Sequence, residues 1–244
     1  MARPFLSVII PAFNEAERLP LTLIDADRHL SEQDYTYEIL VVDDGSTDHT
    51  SESAKRFAAA IKNLKVLNSV DNRGKGAAAK LGVLAARGNW RLIMDADNAV
   101  SVQEFQKVME GIVSGESFAI VLASRGAKGT KLEPPPPFSR RLSDSALNRW
   151  RRLILRSKIK DALTGFHCYS AEAAEKIFPL LKISGWNFTA EALALGDRFG
   201  FQIKEVPAVI AYAPNSRLKL SRYLHMFWET IKIWWWLKNG KYRF

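Results

Sequence analysis

The residues best suited to chemistry are Asp95 and Asp97, which follow a run of strand-forming apolar residues at 90–94. Residues two apart in an extended strand project from the same face, so both carboxylates can reach one site at the end of the strand. Two close carboxylates repel each other unless a hard divalent cation or a shared proton offsets their charge. The pair therefore predicts a cation site. The alternative is an acidic turn that caps a helix beginning near Ser101.

A second acidic strand end, at Asp43 and Asp44, follows the strand pattern of residues 37–42. Gly45 permits an otherwise strained turn there, and the hydroxyl residues after it can cap the next helix. Aspartates in such turns often serve only the backbone. Because parallel strands direct their carboxyl ends to one edge of a sheet, we expect these carboxylates to lie beside those of the later strand.

Two further strand ends carry groups suited to a nucleotide. The first predicted strand, residues 6–10, ends at Pro11, and residues 11–15 lead into a helix with acids in its first turn. The predicted strand 64–67 is followed by residues 72–76, where glycines and cations at a helix start favour phosphate, with free N–H groups pointing outward. The P-loop pattern is absent. The alternative for both segments is a simple strand-to-helix connection.

Strands alternating with helices predict an α/β fold with a mostly parallel, Rossmann-like central sheet and helices on both faces. Short connections then place the loops described above along one edge of the sheet. The fifth predicted strand, residues 118–124, ends at Arg125. Residues 126–138, with four consecutive prolines, predict a stiff extended loop, either a lid over the site or a surface linker.

Two predicted helices follow this loop. Residues 139–160 combine a helical pattern with many arginines, including Arg140 and Arg141, and favour anion binding, although cationic helices are often merely solvated. The predicted helix 186–199 carries Glu191. His167 has no neighbouring cysteine or histidine to form a zinc motif, so we expect a packed or hydrogen-bonded side chain.

Residues 218–237 predict an amphipathic C-terminal helix. One face is polar: Arg222, His225, Glu229 and Lys232. The other is apolar: Leu220, Tyr223, Leu224, Phe227, Trp228, Ile231, Trp234 and Trp235. The internal charges argue against a transmembrane span. The tryptophans and the flanking basic residues Lys238, Lys241 and Arg243 favour a membrane interface, with docking on the protein's own core or in a dimer as the alternative. We predict a catalytic domain at 1–217 and an interfacial helix with a basic tail at 218–244.

The composition is that of a globular protein with an anionic partner. The 244 residues are 47% hydrophobic and 25% charged, and the formal net charge is +9. That charge suits a nucleotide, a phospholipid surface or a nucleic acid, but no nucleic-acid-binding motif accompanies it. The single cysteine, Cys168, excludes an intramolecular disulfide, and the first residues lack the layout of a signal peptide.

The segments PAFNE, VVDDGSTD, NRGKG, DAD, SR and LTGF, in this order, resemble the family 2 glycosyltransferases of GT-A fold over residues 5–220. The nearer resemblance is to dolichyl-phosphate glucosyltransferases and dolichyl-phosphate mannose synthases. It implies inverting transfer of glucose or mannose from UDP-glucose or GDP-mannose to polyprenyl or dolichyl phosphate, with Mg²⁺ or Mn²⁺, at the cytoplasmic side of a membrane. The alternatives are a soluble transferase acting on a carbohydrate hydroxyl and a catalytically silent nucleotide-sugar or membrane-binding module.

The candidate site residues, from this resemblance and from the patterns above, group by role. For the nucleotide sugar they are Pro11, Phe13, Glu15, Val42, Asp44, Lys75, Asp95 and Ala96. For the metal they are Asp95 and Asp97, for catalysis Asp97, Arg125 and Glu191, and for the acceptor phosphate Arg125, Arg140, Arg141 and Arg217. Glu191 would be the general base for a hydroxyl acceptor. Ala99 stands where mannose synthases often have a further polar ligand, which favours UDP-glucose as donor.

Overall fold

A seven-stranded sheet forms the centre of the molecule, with strands in the order β3-β2-β1-β4-β7-β5-β8. The structure is a computed structural model that describes residues 3–212 and 220–242. All contacts within the sheet are parallel except those of β7. The predicted mostly parallel α/β architecture is thus confirmed. The strands are β1 (Leu6–Ala12), β2 (Tyr37–Asp43), β3 (Leu64–Asn68), β4 (Trp90–Ile93), β5 (Ile120–Ala123), β6 (Lys131–Leu132), β7 (His167–Ser170), β8 (Ile203–Val206) and β9 (Val209–Ile210).

Helices cover both faces of this sheet, so its strands are apolar on both sides, and every residue of β1 is buried. Two hydrophobic clusters result, one on each face. The helices are α1 (Leu19–Ser31), α2 (Thr50–Ala60), α3 (Lys75–Ala85), α4 (Phe105–Val113), α5 (Phe138–Leu155), α6 (Ala171–Ile177), α7 (Phe188–Arg198) and α8 (Leu220–Lys238), with short 3₁₀ turns at Val102–Glu104 and Phe178–Leu180.

Strand β7 runs antiparallel between β4 and β5. In the register of these strands, His167 at the start of β7 pairs with Ile93 at the end of β4. Because β7 runs in the opposite direction, the segment before it reaches the same edge as the carboxyl ends of its neighbours. The loop at residues 161–166 therefore lies next to the residues that follow β4.

The proline-rich segment 126–138 is only partly a loop, because it contains strand β6. This strand pairs in parallel with β9 as a separate two-stranded sheet. Pro207 separates β9 from β8. The small sheet lies at the carboxyl edge of the main sheet, where Leu132 and Ile210 line the central cavity described below.

Helix α8 packs on the protein's own helices, mainly on α5 and also on α7. Its buried side chains include Tyr223, Met226, Thr230 and Ile233. The predicted apolar face is therefore divided: Tyr223 points inward, whereas Leu224, Trp228 and Trp235 are exposed on the opposite side. The predicted polar face is wrong for Glu229, which is 5% exposed. The predicted boundary at residue 217 lies outside the described residues.

Within the described ranges, no helix is both long enough and apolar enough to cross a bilayer.

Candidate active site

A cavity of about 520 Å³ opens at the carboxyl edge of the sheet. It collects the ends of β1, β2 and β4, the start of α3, and parts of α5 and α8. Most predicted site residues lie in its wall: Pro11, Phe13, Glu15, Asp44, Lys75, Asp95, Ala96, Asp97, Arg125 and Arg140. Strand ends far apart in sequence thus meet in one place, as the parallel topology requires.

Asp95 and Asp97 each contact a cation of the protein. Lys75 Nζ contacts the carboxylate of Asp95, and Arg18 Nη1 lies 3.3 Å from Asp97 Oδ2. Burial, and then the neighbouring charge of Asp95, raise the pKa of Asp97. The two acids therefore place two negative charges close together, each paired with one cation of the protein.

Gly165 supports Asp95 from the loop before β7. A Cβ atom at this position would overlap both oxygens of the Asp95 carboxylate. His167 holds the same loop by a hydrogen bond between Nε2 and the Thr164 carbonyl. Burial lowers the pKa of His167 to about 3, so the ring is neutral and serves packing, as the sequence predicts.

Asp44 shapes the loop that precedes α3. Its two carboxylate oxygens accept hydrogen bonds from the backbone N–H groups of Arg73 (3.1 Å) and Gly74 (2.7 Å). Gly45 has φ +69°, and a Cβ there would overlap the backbone of Asp71. The second acidic strand end therefore serves the backbone and also forms part of the cavity wall.

The start of α3 is not the open set of N–H groups that the sequence predicts. The N–H groups of Gly76 and Ala77 donate to the carbonyl of Ser184, at 2.7 and 3.2 Å. These N–H groups are therefore not available to bind a phosphate. The cation of Lys75, whose Nζ also lies 4.7 Å from the ring centroid of Trp186, is the group that this segment offers to an anion.

Arg125 is neutralised by two carboxylates. Its guanidinium binds both oxygens of Asp161 at 2.7 Å, and its Nη1 lies 2.6 Å from Asp144 Oδ2. Asp144 also accepts the hydroxyl of Tyr223 at 2.5 Å, while Arg140 lies 3.9 Å from it. Arg125 thus lines the cavity, but its charge is already offset by two carboxylates of the protein. Arg140 has only the longer contact with Asp144 and is less strongly paired than Arg125.

Replacement of Asp161 with asparagine should lower the free energy of unfolding by about 3 kcal/mol, because it breaks a buried ion pair while leaving its arginine in place. Asp161 is 1% exposed. Burial alone would raise its pKa, but Arg125 holds the pKa far below the usual range. The wild-type protein should therefore keep this contribution above about pH 4 and lose it as the pH falls further.

Urea denaturation at pH 7 and pH 3 measures both effects. Asp197→Asn, at an exposed position, is the matched control and should change stability by less than about 0.5 kcal/mol. Equal unfolding free energies for Asp161→Asn and wild type at pH 7 would contradict the assignment.

Glu191 does not line the cavity. It is fully buried and accepts backbone N–H groups from Lys182 (3.0 Å) and Ile183 (2.8 Å), together with the hydroxyl of Tyr242 (2.6 Å). Burial raises its pKa. The prediction of a catalytic Glu191 does not fit this position, because the carboxylate is used to hold the segment that contains Ser184.

The remaining predicted residues lie elsewhere. Val42 is fully buried in the hydrophobic cluster beneath α3. Arg141 is exposed and absent from the cavity wall, because it is adjacent to Arg140 on a helix and projects in another direction. Arg217 lies outside the described residues.

Sequence patterns missed several cavity residues: Arg18, Thr164, Gly165, Trp186, Tyr212 and Arg222. Gly165 and Thr164 lie in the quoted LTGF segment, so that motif carried the signal for them. Arg222 was placed only on the polar face of the last helix. Its proximity to the active-site cavity depends on the packing of α8 against α5, which no local pattern encodes.

The described residues contain no group of three or more His, Cys, Asp or Glu side chains that could hold a metal ion. Two carboxylates of the protein, Asp95 and Asp97, are nevertheless of the ligand type that Mg²⁺ and Mn²⁺ prefer. Their mutual repulsion fits a cation whose other ligands come from a bound diphosphate and water.

Comparisons with known proteins identify the family of this chain. The family model "Glycosyl transferase family 2" matches residues 7–178. A dolichyl-phosphate beta-glucosyltransferase of Dictyostelium discoideum is 34% identical, over 94% of this chain and 73% of that protein. The human dolichyl-phosphate beta-glucosyltransferase is 29% identical, over 97% of this chain and 72% of its own length.

A solved structure shares the fold. Glucosyl-3-phosphoglycerate synthase from Mycobacterium tuberculosis, in complex with Mn²⁺, UDP-glucose and phosphoglyceric acid, superposes with a TM-score of 0.65 at 21% identity. The match covers 95% of this chain and 78% of that one. The sheet of this chain is therefore the GT-A sheet, as predicted. The chain belongs to glycosyl transferase family 2.

Proposed function

We propose that the protein transfers glucose from UDP-glucose to the phosphate of a dolichyl or other polyprenyl phosphate. The relatives named above are dolichyl-phosphate beta-glucosyltransferases, which supports both the sugar and the acceptor. The observation that carries the proposal is the cavity itself. It has an acidic strand-end pair at one end, and arginines beside apolar side chains at the other.

The donor half is formed by the ends of β1, β2 and β4. Phe13, Glu15 and Asp44 line the region between the first two strands, where a nucleoside would bind, while Lys75 would contact the diphosphate. Asp95 and Asp97 would hold Mg²⁺ or Mn²⁺. Such a cation, when bound, would neutralise the charge that develops on the leaving diphosphate.

The acceptor half combines cations with apolar surface. Arg140 and Arg222 line it, together with Leu132, Pro136 and Ile210 near the small β6-β9 sheet. This combination suits a ligand with an anionic head and a hydrocarbon chain, since the head needs counter-charge and the chain needs to leave water.

The reaction on this proposal needs positioning more than proton transfer. An oxygen of the acceptor phosphate, already ionised at neutral pH, attacks the anomeric carbon while the bond from that carbon to the donor diphosphate oxygen breaks. UDP leaves with the electron pair, and the configuration inverts. No general base is required, because the nucleophile carries no proton that must be removed.

Transfer to a sugar hydroxyl, the second candidate, would require a carboxylate base at the acceptor end. Asp144 lies there, but it is bonded to Arg125 and Tyr223, and Asp161 is bonded to Arg125. Both acids are thus engaged in ion pairs with Arg125. The acceptor end, as far as the described residues form it, is therefore better suited to a phosphate than to a neutral alcohol.

The direct test offers purified protein a panel of UDP- and GDP-sugars with polyprenyl phosphate or neutral polyprenol, with Mg²⁺, Mn²⁺ or EDTA. We expect a glucosyl lipid phosphate from UDP-glucose and the phosphorylated acceptor only, with loss of product in EDTA. Equal transfer to polyprenol would favour the hydroxyl-transferase alternative. Binding of UDP without turnover on any acceptor would favour a silent module.

We also propose that α5 and α8 contact the surface of a membrane. The two helices pack together, and each exposes apolar side chains on the side opposite its buried residues. These are Phe138, Leu142 and Leu153 on α5, and Leu224, Trp228 and Trp235 on α8. Exposed arginines of α5, such as Arg149, border this surface and would attract anionic lipid headgroups.

A double replacement, Trp228→Glu with Trp235→Glu, should reduce sedimentation with anionic liposomes by about tenfold or more, since it puts charge in place of aromatic interface anchors. These side chains are 57% and 47% exposed, so the fold should tolerate the change. Val113→Glu, at an 81% exposed apolar position on α4, is the control and should sediment like wild type. Equal sedimentation of the double variant and wild type would reject the membrane surface.

A further inference from the structure

Arg222, in the first turn of α8, projects into the wall of the central cavity. Its guanidinium carbon lies 5.6 Å from the ring centroid of Trp186, a second cavity residue. The next residue of the helix, Tyr223, is buried and fixes this turn by its hydrogen bond to Asp144. The position of Arg222 is thus set by the packing of α8 on α5.

Arg222 differs from the other cations of the cavity in its pairing. Arg18 contacts Glu15 and Asp97, and Lys75 contacts Asp95. Arg125 contacts Asp144 and Asp161, and Arg140 lies 3.9 Å from Asp144. Arg222 forms no ion pair with any residue in the ranges 3–212 and 220–242, and its Nη1 atom is buried there without a hydrogen-bond partner.

A buried guanidinium nitrogen without an acceptor is unfavourable, because its N–H groups lose their hydrogen bonds to water and form none within the protein. A bound anion would supply the missing acceptor, and guanidinium groups bind phosphate with two parallel hydrogen bonds. The pairing pattern therefore indicates that Arg222 is available for an anionic ligand, whereas most other cavity cations are neutralised by the protein.

Trp186 locates this anion near the reaction centre. The same indole ring lies 4.7 Å from Lys75 Nζ, the cation at the start of α3. Two phosphate groups approach each other during the proposed transfer, one on the donor and one on the acceptor. Lys75 contacts Asp95, on the donor side. Arg222 precedes Tyr223, whose hydroxyl donates to Asp144, and Asp144 lies 3.9 Å from Arg140. Arg222 is therefore on the acceptor side of the cavity.

We propose that Arg222 binds the phosphate group of the lipid acceptor and favours a phosphate monoester over a neutral alcohol. This assignment rests on the proposed function and adds a specificity-determining residue to it. Because α8 also carries the exposed tryptophans, one helix would provide both the contact with the bilayer and a ligand to the lipid's head group.

The test compares Arg222→Gln, Arg222→Lys and wild type, with a short, water-soluble isoprenyl phosphate as acceptor so that membrane binding plays no part. We expect the KM for this acceptor to rise at least about tenfold in Arg222→Gln, with partial recovery in Arg222→Lys. The dissociation constant of UDP with Mn²⁺, measured by calorimetry, should change less than about twofold. Arg198→Gln, at an exposed position on α7, should resemble wild type in both.

Three outcomes would overturn the assignment. An unchanged KM in Arg222→Gln would remove Arg222 from the acceptor site. A parallel loss of UDP affinity would place it on the donor diphosphate instead. If Arg222→Gln and Arg222→Lys lost activity with isoprenyl phosphate to the same extent, and both also melted at a lower temperature than wild type, Arg222 would have a structural role. If wild type used no isoprenyl phosphate, the proposed function would be rejected. The wild-type assay thus tests the proposed function, and the variants test the role of Arg222.

Discussion

Replacement of Gly165 with alanine should lower the turnover number by about a hundredfold while leaving the fold intact, because displacement of a reacting group by about 1 Å has effects of this size. The added Cβ would occupy the space of the Asp95 carboxylate. The three atoms nearest to this Cβ all belong to the end of the Asp95 side chain. Asp95 would therefore rotate away from Lys75, and we expect the backbone to keep its course.

The measurement is the rate of glucosyl transfer under saturating substrates, together with a thermal melt. Gly185→Ala is the matched control, since a Cβ there meets its nearest atom, Glu229 Oε1, at 3.4 Å, an ordinary contact distance. Wild-type turnover in Gly165→Ala would show that the position of Asp95 is unimportant. Unfolding of the variant would show that the loop before β7 cannot relax as described.

Replacement of Asp97 with asparagine should lower turnover by about a thousandfold, or about 4 kcal/mol of transition-state stabilisation, because the charge that would hold the cation is lost. Asparagine keeps the size of the side chain and the acceptor for the N–H of Ala99, at 3.2 Å. The loop after β4 should therefore persist. The ion pair with Arg18, which is partly exposed, contributes little to stability in comparison.

Two assays separate charge from structure in this variant. Mn²⁺ binding in the presence of UDP should weaken, and melting without ligands should remain close to wild type. Asp34→Asn, an exposed acid before β2, is the control and should leave both unchanged. Full activity of Asp97→Asn would remove Asp97 from the metal site.

The sheet and the acidic strand ends could be predicted because their signals are local. Strands buried on both faces are continuous apolar runs, and the residues after them mark the edge where ligands bind. The antiparallel β7 could not be predicted in this way, because its direction depends on pairing with β4 and β5. Gly165 lies in the quoted LTGF segment, but its approach to the Asp95 carboxylate depends on that topology and is not evident from the motif alone.

The same limit applies to charge. Arg125 and Glu191 are prominent in the sequence as a cation and an acid near family motifs, but their partners are remote along the chain. Arg125 forms ion pairs with Asp144 and Asp161. Glu191 accepts hydrogen bonds from the backbone N–H groups of Lys182 and Ile183 and from the hydroxyl of Tyr242. Sequence identifies which groups can ionise. Which of them remain available to a ligand is decided by tertiary contacts.

The hydrogen bond from Tyr242 to Glu191 also has a consequence for the order in which the site can be assembled. Glu191 holds the N–H groups of Lys182 and Ile183, and the carbonyl of Ser184 holds the start of α3 through Gly76. A nascent chain that has emerged only as far as α7 contains every segment proposed to bind the donor but lacks Tyr242. The start of α3 would gain its final support only after the residues that follow α8 have been synthesised.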